Sequence, residues 1–523
     1  MAVSFSKEPG KNGFAAPCRF EADMFDCEVE GELPPDMAGT FYRACYDRQY
    51  PARIEGDAVF NEDGAIDMFR IGDGRVDFRT RWVRTERFLA ERRERRALFG
   101  LYRNRHTVDP SVRDLSLNVA NTNVIFHAGK LLVLKESDLP LAIDPDTLET
   151  LGPWDFGGKV AGETFTAHPK IDYLTGEMIG YGYEARGDAT RDVVFYSVDA
   201  GGEVAWEMWM ASPQVSMLHD IAITPNYIVL PTTSFTTSIE RLRAGKVHWG
   251  FDPEQPTHVA VIPRGGQVQD VRWFEAPRRA MIHTINAVED GDRILLDAPV
   301  SDSNPFPFFP AIDGSPWEPD KGKATLRRWT IDLGSDSPTV QEEVLFTQHR
   351  GGGLARMDDR FTGRPFRYSY MGVSDPSLPF DHMLGDRPPG LTNSYVRFDH
   401  QTGATEGFFA GDAHHLAEVC FVPRHAQAPE GDGWLIGVAD NLRDMHSELV
   451  MVDARRLEEG AVARVKLPFR LHPQVHGNWI PQILPEQSAP RQAPQANRAR
   501  IDQGSPTEQR DVRLGKSRQR LRN

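Results

Sequence analysis

Four of the sixteen histidines in this chain stand far apart in sequence but in similar local contexts. They are His168 in Thr-Ala-His-Pro-Lys, His219 in Met-Leu-His-Asp, His283 in Ile-His-Thr-Ile-Asn-Ala and His476 in Val-His-Gly-Asn-Trp. Each lies in or beside an apolar or β-branched run, which is where a strand end falls. A radial fold would bring such positions together near one axis. Four neutral imidazoles that converge suit a divalent first-row metal such as iron, copper or zinc.

Spacing alone does not select these four residues. A single histidine is more often a surface or core residue than a metal ligand, and His414 and His415 form an equally suggestive pair. His472 and His476 are four residues apart, but Pro473 between them opposes a helix that would align their side chains. No CxxC or HExxH motif fixes a ligand set. The residue pattern by itself therefore leaves the ligands open.

Length, charge and cysteine content exclude several classes of protein. The 523 residues suffice for one large domain or several small ones. A net charge of -15 argues against nucleic acid as the main partner. The four cysteines follow no pattern of a disulfide framework or a zinc site. Cys45 and Cys420 lie in apolar stretches, so we expect them to be buried thiols.

The sequence shows no segment that addresses the chain to a membrane. Residues 1–20 contain no long apolar run, and no stretch approaches the ~18 apolar residues of a spanning helix. We expect no signal peptide, no membrane insertion and a cytoplasmic location.

Short strand-like runs separated by Gly- and Asp-rich turns dominate the chain. The clearest runs are residues 124–126, 131–134, 193–196, 227–230, 293–296, 433–436 and 449–452. This pattern is typical of a closed all-β architecture, and at this length a propeller with blades of roughly 40–50 residues is the natural candidate. No WD or kelch repeat supports it further.

Two regions differ from this strand pattern. Residues 85–101 carry few β-branched side chains and mixed charge, which predicts a helix with a solvated arginine face. Residues 487–523 are net basic and poor in aromatic and β-branched side chains, which predicts a disordered tail. We therefore divide the chain into an N-terminal arm at 1–20, a propeller catalytic domain at 21–486 and the tail at 487–523.

Several segments resemble the carotenoid cleavage oxygenase superfamily, in family order from about residue 20 to 481. They are residues 167–178 (Ala-His-Pro-Lys-Ile-Asp-Tyr-Leu-Thr-Gly-Glu-Met), 217–224, 283–290, 418–424 and 476–479 (His-Gly-Asn-Trp). Within the superfamily the chain is most similar to the bacterial lignostilbene dioxygenase and isoeugenol-cleaving branch. Residues 95–104, 135–136 and 305–309 (Pro-Phe-Pro-Phe-Phe) carry that similarity.

The resemblance implies a seven-bladed β-propeller, with a few helices and loops capping the active-site face. It implies Fe(II) on the propeller axis, held by His168, His219, His283 and His476. Cleaving C=C with O₂ to give two carbonyls consumes no outside electrons, so no organic cofactor is needed.

Metal-binding imidazoles need their second nitrogen held by an acceptor. The resemblance gives Glu136 and Glu418 this role. A third glutamate is expected at the position of Gly353, where the chain departs from the family pattern. We expect water or a neighbouring carboxylate to replace it, with lower iron affinity as the result.

The resemblance also places four side chains around the substrate. They are Phe60, Tyr102, Lys135 and Phe308. Lys135 would stabilise a phenolate, and Tyr102 would donate a second hydrogen bond. Strand alternation would put Lys135 and Glu136 on opposite faces, one toward the substrate and the other toward the metal.

The implied function is a non-haem Fe(II) dioxygenase. It would cleave the exocyclic C=C bond of a 4-hydroxyphenyl alkene, of lignostilbene or isoeugenol and vinylguaiacol type, to aldehydes such as vanillin. Carotenoid or apocarotenoid cleavage is the first alternative. A non-enzymatic β-propeller that binds partners through its loops is the second. The sequence does not choose among stilbene, propenyl phenol and vinyl phenol, and it leaves a homodimer open.

Overall fold

A computed structural model describes residues 4–5, 13–346, 350–351, 353–388 and 390–482. The tail predicted at 487–523 and part of the arm predicted at 1–20 lie outside these residues, so the predicted domain boundaries stay predictions. Among the described residues, no helix is both long and apolar enough to cross a membrane.

The predicted strand runs all form strands, and their turn residues show why. The strands Asn123–His127 and Lys130–Leu134 pair antiparallel. Ala128 and Gly129 join them, both with positive φ (47° and 76°). Such two-residue turns match the right-handed twist of the flanking strands, and glycine adopts positive φ at no steric cost.

Seven antiparallel sheets form the blades of a β-propeller, as predicted. Blade 1 contains Ala22–Met24, Gly39–Asp47, Asp63–Gly72, Arg75–Trp82 and Gln474–Pro481. Blade 2 contains Asn123–His127, Lys130–Leu134, Leu141–Ile143 and Thr150–Pro153. Blade 3 contains Lys170–Ile171, Met178–Tyr183, Asp192–Val198 and Val204–Ala211. Blade 4 contains Ala222–Ile223, Tyr227–Pro231, Thr257–Pro263 and Arg272–Ala276.

The remaining blades each carry two short strands at the inner edge. Blade 5 contains Ala280–Met281, Asn286–Asp290, Arg293–Ser301, Thr325–Asp332 and Gln341–Phe346. Blade 6 contains Arg350–Gly351, Arg356–Met357, Tyr368–Ser374, Ser394–Asp399 and Thr405–Phe409. Blade 7 contains Glu28–Gly31, His414–Leu416, Cys420–Pro423, Gly433–Asn441, His446–Asp453 and Ala461–Lys466. A separate two-stranded sheet pairs Phe235–Thr236 with Gly250–Phe251.

Strands from early and late in the sequence pair in two blades and close the ring. In blade 1, Gln474–Pro481 pairs with Gly39–Asp47. In blade 7, Glu28–Gly31 pairs with Ala461–Lys466. Pairing between early and late strands therefore closes the ring in two neighbouring blades.

The hydrophobic core is divided into clusters between neighbouring blades. Phe41 of blade 1 and Val438 of blade 7 share one cluster, and Ile66 of blade 1 shares another with Val124 of blade 2. Five further clusters join the other neighbouring pairs in the same way. The predicted burial of Cys45 and Cys420 is confirmed, because they are 0% and 2% exposed.

Helices are few in the described residues. The α-helices are Glu86–Glu94, Ile239–Arg243 and Pro319–Gly322. The 3-10 turns are Gly13–Ala15, Val59–Asn61, Arg105–Thr107, Pro110–Val112, Val268–Asp270, Asp359–Phe361, His382–Leu384 and Leu457–Glu459.

The helix predicted at residues 85–101 is shorter than expected. Thr85 caps its start by accepting a hydrogen bond from the backbone N–H of Phe88 (3.0 Å). It ends at Glu94, because Arg95 adopts a left-handed conformation with φ of 56°. The segment that follows the helix turns inward, and two of its backbone N–H groups donate hydrogen bonds to the Glu91 carboxylate, at 2.8 and 3.0 Å. Composition predicted the helix but not this inward turn.

Candidate metal centre and adjoining cavities

The four histidines lie at the inner ends of four different blades. His168 precedes Lys170–Ile171, His219 precedes Ala222–Ile223, His283 precedes Asn286–Asp290, and His476 lies in Gln474–Pro481. Because the inner edges of all blades face one axis, residues separated by hundreds of positions meet there.

The ligand nitrogens of these histidines all lie within 4.8 Å of one another. The Nε2 atoms of His168 and His219 are 3.0 Å apart. The Nε2 atoms of His283 and His476 are buried and have no hydrogen-bond partner among the described residues. A divalent first-row ion binds imidazole at about 2.0–2.1 Å, which puts neighbouring donor atoms about 3–4 Å apart. The cluster can therefore hold a metal ion.

The environment keeps at least two of these imidazoles neutral. Burial lowers the pKa of His168 well below its usual range, and His476 and His219 nearby lower it further. Burial also lowers the pKa of His283 well below its usual range. A neutral imidazole has the free nitrogen lone pair that a metal needs.

Glu418 orients His476. Its Oε1 accepts the Nδ1–H of His476 at 2.9 Å, and its Oε2 accepts the backbone N–H of Gly477 at 2.8 Å. Arg356 stands 3.4 Å from the same carboxylate and also donates to the carbonyl of Gly477 at 2.8 Å. Blades 6, 7 and 1 thus meet in one network behind His476.

Glu136 lies behind His219. Its Oε1 is 3.6 Å from Nδ1 of His219 and accepts the hydroxyl of Tyr102 at 3.2 Å. Burial raises the pKa of Glu136, but Lys135 and His219 more than offset this and hold it well below its usual range. The carboxylate is therefore ionised beside the cluster.

A backbone carbonyl orients His283. Nδ1 of His283 donates to the carbonyl oxygen of Gly353 at 2.8 Å. We expected water or a carboxylate to replace the glutamate missing at this position. The residue that lacks the carboxylate supplies an acceptor from its own main chain instead.

Replacing Gly353 by glutamate is therefore expected to leave metal retention within about twofold of wild type. A Cβ at this position meets no atom within 4 Å, and φ is outside the left-handed region, so the substitution adds no strain. His283 keeps its carbonyl acceptor. The rate of metal loss to a chelator measures this, with Gly353→Ala as the matched control. Markedly slower loss from the glutamate variant alone would show that the carbonyl is a poor substitute.

Glu418→Gln is expected to weaken metal binding about tenfold, at the lower end of the ~10–100-fold typical of such changes. The amide oxygen still accepts the Nδ1–H of His476, but the negative charge that raises the basicity of the ligand is gone. Arg356 also loses one of its two ionic partners and keeps Asp359. Metal release to a chelator measures the effect, and Glu459→Gln, at an exposed residue, is the control. Equal release rates in all three proteins would contradict this role for Glu418.

An apolar cavity of about 370 Å³ adjoins the histidine cluster. Phe60, Ile282, Phe306 and Phe309 contribute apolar walls, and His219, His283 and His476 line it as well. Phe308 was predicted to line the substrate site together with Phe60. Phe308 packs edge-on against Phe60, with ring centres 5.1 Å apart. The neighbouring Phe306 and Phe309 line the cavity in its place.

A group of polar side chains lies in this apolar cavity. Lys135 Nζ donates to Thr122 Oγ1 at 3.1 Å, stands 3.8 Å from Glu136 and lies 5.1 Å from the centre of the Tyr102 ring. Lys135 is 3% exposed, and burial lowers its pKa despite the opposing effect of Glu136. The prediction that Lys135 and Glu136 face opposite ways is wrong. Both line the cavity because the strand ends at Leu134 and the chain turns there.

A second cavity, of about 360 Å³, adjoins the cluster along the propeller axis. The inner strands of the blades line it, with Lys170, Asp220 and Arg356 among its charged residues. Lys170 and Asp220 form an ion pair of 2.8 Å. His283 and His476 line both cavities, so the cluster separates an apolar space from a polar one.

Sequence reasoning missed several residues of this region. Thr122 and Gln474 carry no motif of their own, and their placement becomes visible only in the folded ring. Arg356 belongs to a motif, but its contact with Glu418 could not be predicted from it. The nearest available signal for Gln474 was its position two residues before His476.

Residues 15–481 match the family model described as retinal pigment epithelial membrane protein. The chain belongs to this family, the carotenoid cleavage oxygenases. Membership confirms the resemblance found in the sequence and the prediction of an oxygenase that incorporates O₂. It also argues against a non-enzymatic propeller.

Relatives within the carotenoid cleavage oxygenases match nearly the whole chain. Lignostilbene-alpha,beta-dioxygenase isozyme III of Sphingomonas paucimobilis is 41% identical, covering 91% of this chain and 97% of that protein. Isoeugenol monooxygenase of Pseudomonas putida is 41% identical, covering 92% and 99%. The crystal structure of Pseudomonas brassicacearum lignostilbene dioxygenase superposes with a TM-score of 0.89 at 39% identity, covering 92% of this chain and 100% of that one.

Proposed function

We propose that this protein is an Fe(II) dioxygenase that cleaves the exocyclic C=C bond of a 4-hydroxyphenyl alkene. One observation carries the proposal: a buried lysine, Lys135, lies beside Tyr102 in an apolar cavity that also exposes three of the four clustered histidines. The names of the relatives support the same substrate class, because lignostilbenes and isoeugenol are phenolic alkenes.

His168, His219, His283 and His476 would hold the Fe²⁺ ion. Their neutral imidazole donors leave the ion its full charge, and two buried Nε2 atoms that point into the cluster lack any other partner among the described residues. When bound, the ion supplies the activation of O₂. The reaction balances without outside electrons, because one alkene and one O₂ give two carbonyl compounds.

Lys135 would take up the phenol proton. Burial lowers the pKa of its amine, which favours the neutral form that can accept the phenol proton. The resulting ammonium–phenolate pair is a charge-assisted interaction in an apolar space. A phenolate raises the electron density of the conjugated double bond, which favours its oxidation.

Tyr102 would exchange hydrogen-bond partners when substrate binds. Burial raises the pKa of Tyr102 well above its usual range, so it stays a donor with a single proton. In this structure the Tyr102 hydroxyl donates that proton in a hydrogen bond to Oε1 of Glu136. Donation to the phenolate releases Oε1 of Glu136, which is then free to accept the Nδ1–H of His219, 3.6 Å away.

The size of the cavity favours a small substrate over a carotenoid. Its volume of about 370 Å³ lies near the lower end of the ~300–1,000 Å³ usual for small-molecule sites. A compact one- or two-ring alkene suits this space better than a long polyene.

A panel of alkenes tests the proposal. Purified protein loaded with Fe²⁺ would receive 4-hydroxystilbene, isoeugenol, 4-vinylguaiacol and an apocarotenal, with aldehyde release and O₂ uptake followed together. We expect cleavage of at least one phenolic alkene and equal amounts of O₂ consumed and double bond broken. Metal analysis distinguishes iron from copper and zinc. Cleavage of the apocarotenal alone would overturn the proposal.

A further inference from the structure

Tyr46 brings a hydroxyl without a partner to the apolar cavity. Its half-buried side chain lines the cavity that contains Lys135 and Tyr102. The hydroxyl forms no hydrogen bond with the described residues, and it is not among the unpaired polar atoms that are sealed from water. Burial nevertheless raises the pKa of Tyr46 well above its usual range. An enclosed hydroxyl that water can still reach opens onto a cavity, where it is free to bond with an entering molecule.

Strand alternation directs Tyr46 toward blade 2. The strand Gly39–Asp47 pairs in unbroken register with the strand that follows it in sequence. Tyr42 and Ala44 of this strand pack against blade 2, whereas Cys45 belongs to a different cluster within blade 1. Because successive side chains of a strand point to opposite faces, Tyr46 lies on the same face as Tyr42 and Ala44. Its side chain therefore extends into the space between blades 1 and 2.

The end of blade 2 that Tyr46 faces is the end that carries Lys135. Gly64 pairs with Tyr46 across the sheet. A Cβ on Gly64 would lie 1.9 Å from the carbonyl oxygen of Ala120, so the segment that leads into blade 2 crosses directly over it. Two residues later, Thr122 accepts a hydrogen bond from Nζ of Lys135. Tyr46 is thus placed at the part of the cavity where the phenol is proposed to bind.

Tyr46 does not share the partners of Lys135. Lys135 contacts Thr122 and Glu136, and Tyr102 donates to Glu136, with no hydrogen bond from any of them to the Tyr46 hydroxyl in the described contacts. In the proposed function, Lys135 and Tyr102 bind the phenol oxygen. A third hydroxyl at this end of the cavity is therefore available for a substituent on the same ring, beside the phenol oxygen.

We propose that Tyr46 is a specificity-determining residue, whose hydroxyl donates to an ether oxygen ortho to the phenol of the substrate. The inference rests on the proposed function and narrows its substrate class to 3-methoxy-4-hydroxyphenyl alkenes. A methoxy oxygen accepts but cannot donate, and the tyrosine hydroxyl supplies the donor. A ring with hydrogen at this position leaves the hydroxyl unpaired, and a site built for a hydrogen bond discriminates against such an analogue.

Substrates that differ only at the position ortho to the phenol test this. One series is isoeugenol, 4-propenylphenol and 2-ethyl-4-propenylphenol, and the second is 4-hydroxystilbene with methoxy, hydrogen or ethyl at carbon 3. Ethyl has nearly the size of methoxy but no oxygen, so this pair separates a hydrogen bond from the filling of space. With the iron-loaded full chain, we expect kcat/KM and anaerobic calorimetric binding to favour methoxy over ethyl about fivefold, the size of one hydrogen bond.

Tyr46→Phe removes the hydroxyl and keeps the ring. In this variant we expect the preference for methoxy over ethyl to fall about fivefold in kcat/KM and to vanish in binding. The electronic effect of each substituent on the double bond is the same in both proteins and cancels in this comparison. Tyr227→Phe removes the hydroxyl of another half-buried tyrosine, outside the cavity, and should keep the wild-type preference.

The outcomes separate the two proposals. If the wild type cleaves a series but binds its methoxy and ethyl forms equally, or if Tyr46→Phe keeps the preference, the role of Tyr46 is wrong and the proposed function stands. An equal loss with all three substituents in Tyr46→Phe would place the hydroxyl on the phenol oxygen itself and also contradict the proposal. If the wild type cleaves neither series, both proposals fail. Iron content and thermal unfolding accompany the assays, and if Tyr46→Phe does not fold, the wild-type preference decides.

Discussion

Replacing His476 by alanine is expected to abolish alkene cleavage and to reduce bound iron to a small fraction of the wild-type content. His476 is the ligand candidate with the firmest support, because Glu418 fixes its ring and Arg356 fixes Glu418. Loss of its imidazole removes one of four donors and leaves Oε1 of the buried Glu418 without its hydrogen bond. Metal analysis and aldehyde release, measured on the same preparations, check this.

His219→Ala should behave in the same way, and His382→Ala is the control. His382 lies exposed in the turn His382–Leu384 and should keep full activity and iron. A His476 or His219 variant that retained wild-type turnover and iron content would remove that residue from the ligand set. The proposed four-histidine site would then need a different member.

Lys135→Met is expected to lower kcat/KM for a phenolic alkene by ~10²–10³, the size of effect seen when a preorganised charge-stabilising group is lost. The methionine fills a similar apolar volume but cannot receive the phenol proton or pair with a phenolate. Methylating the phenol oxygen of the substrate should cost the wild-type enzyme a similar factor. Kinetics with 4-hydroxystilbene and 4-methoxystilbene measure both effects.

The exposed lysine at position 159 offers a matched control, because Lys159→Met removes the same charge far from the cavity. In the Lys135→Met variant, methylating the phenol should not lower kcat/KM further, because the group that recognises the phenol is already absent. Equal turnover of phenol and methyl ether by the wild type would refute the phenolate mechanism and favour carotenoid cleavage again.

The fold and the histidine cluster could be predicted because their signals are local. Apolar runs bounded by Gly and Asp turns predict strands wherever they occur, and the four histidine motifs retain their family contexts in this sequence. The hairpin at Ala128 and Gly129 shows how directly such a turn determines a strand pair.

Features set by the main chain or by distant neighbours could not be predicted. Every residue has a backbone carbonyl, so the residue type at position 353 does not indicate that Gly353 is the acceptor for His283. The direction of Lys135 depends on a strand that ends one residue earlier, at Leu134. The orientation of the Gln474 amide depends on Arg43, which is 431 residues away in the chain.

The double closure of the ring orders events during biosynthesis. Translation proceeds from the N-terminus, so His168, His219 and His283 leave the ribosome well before Gln474–Pro481 does. Until that strand docks beside Gly39–Asp47, blade 1 lacks its inner edge and the cluster lacks His476. A metal ion that binds only the completed cluster would stabilise the closed ring by mass action. The supply of that metal during synthesis should therefore raise the fraction of chains that close the ring.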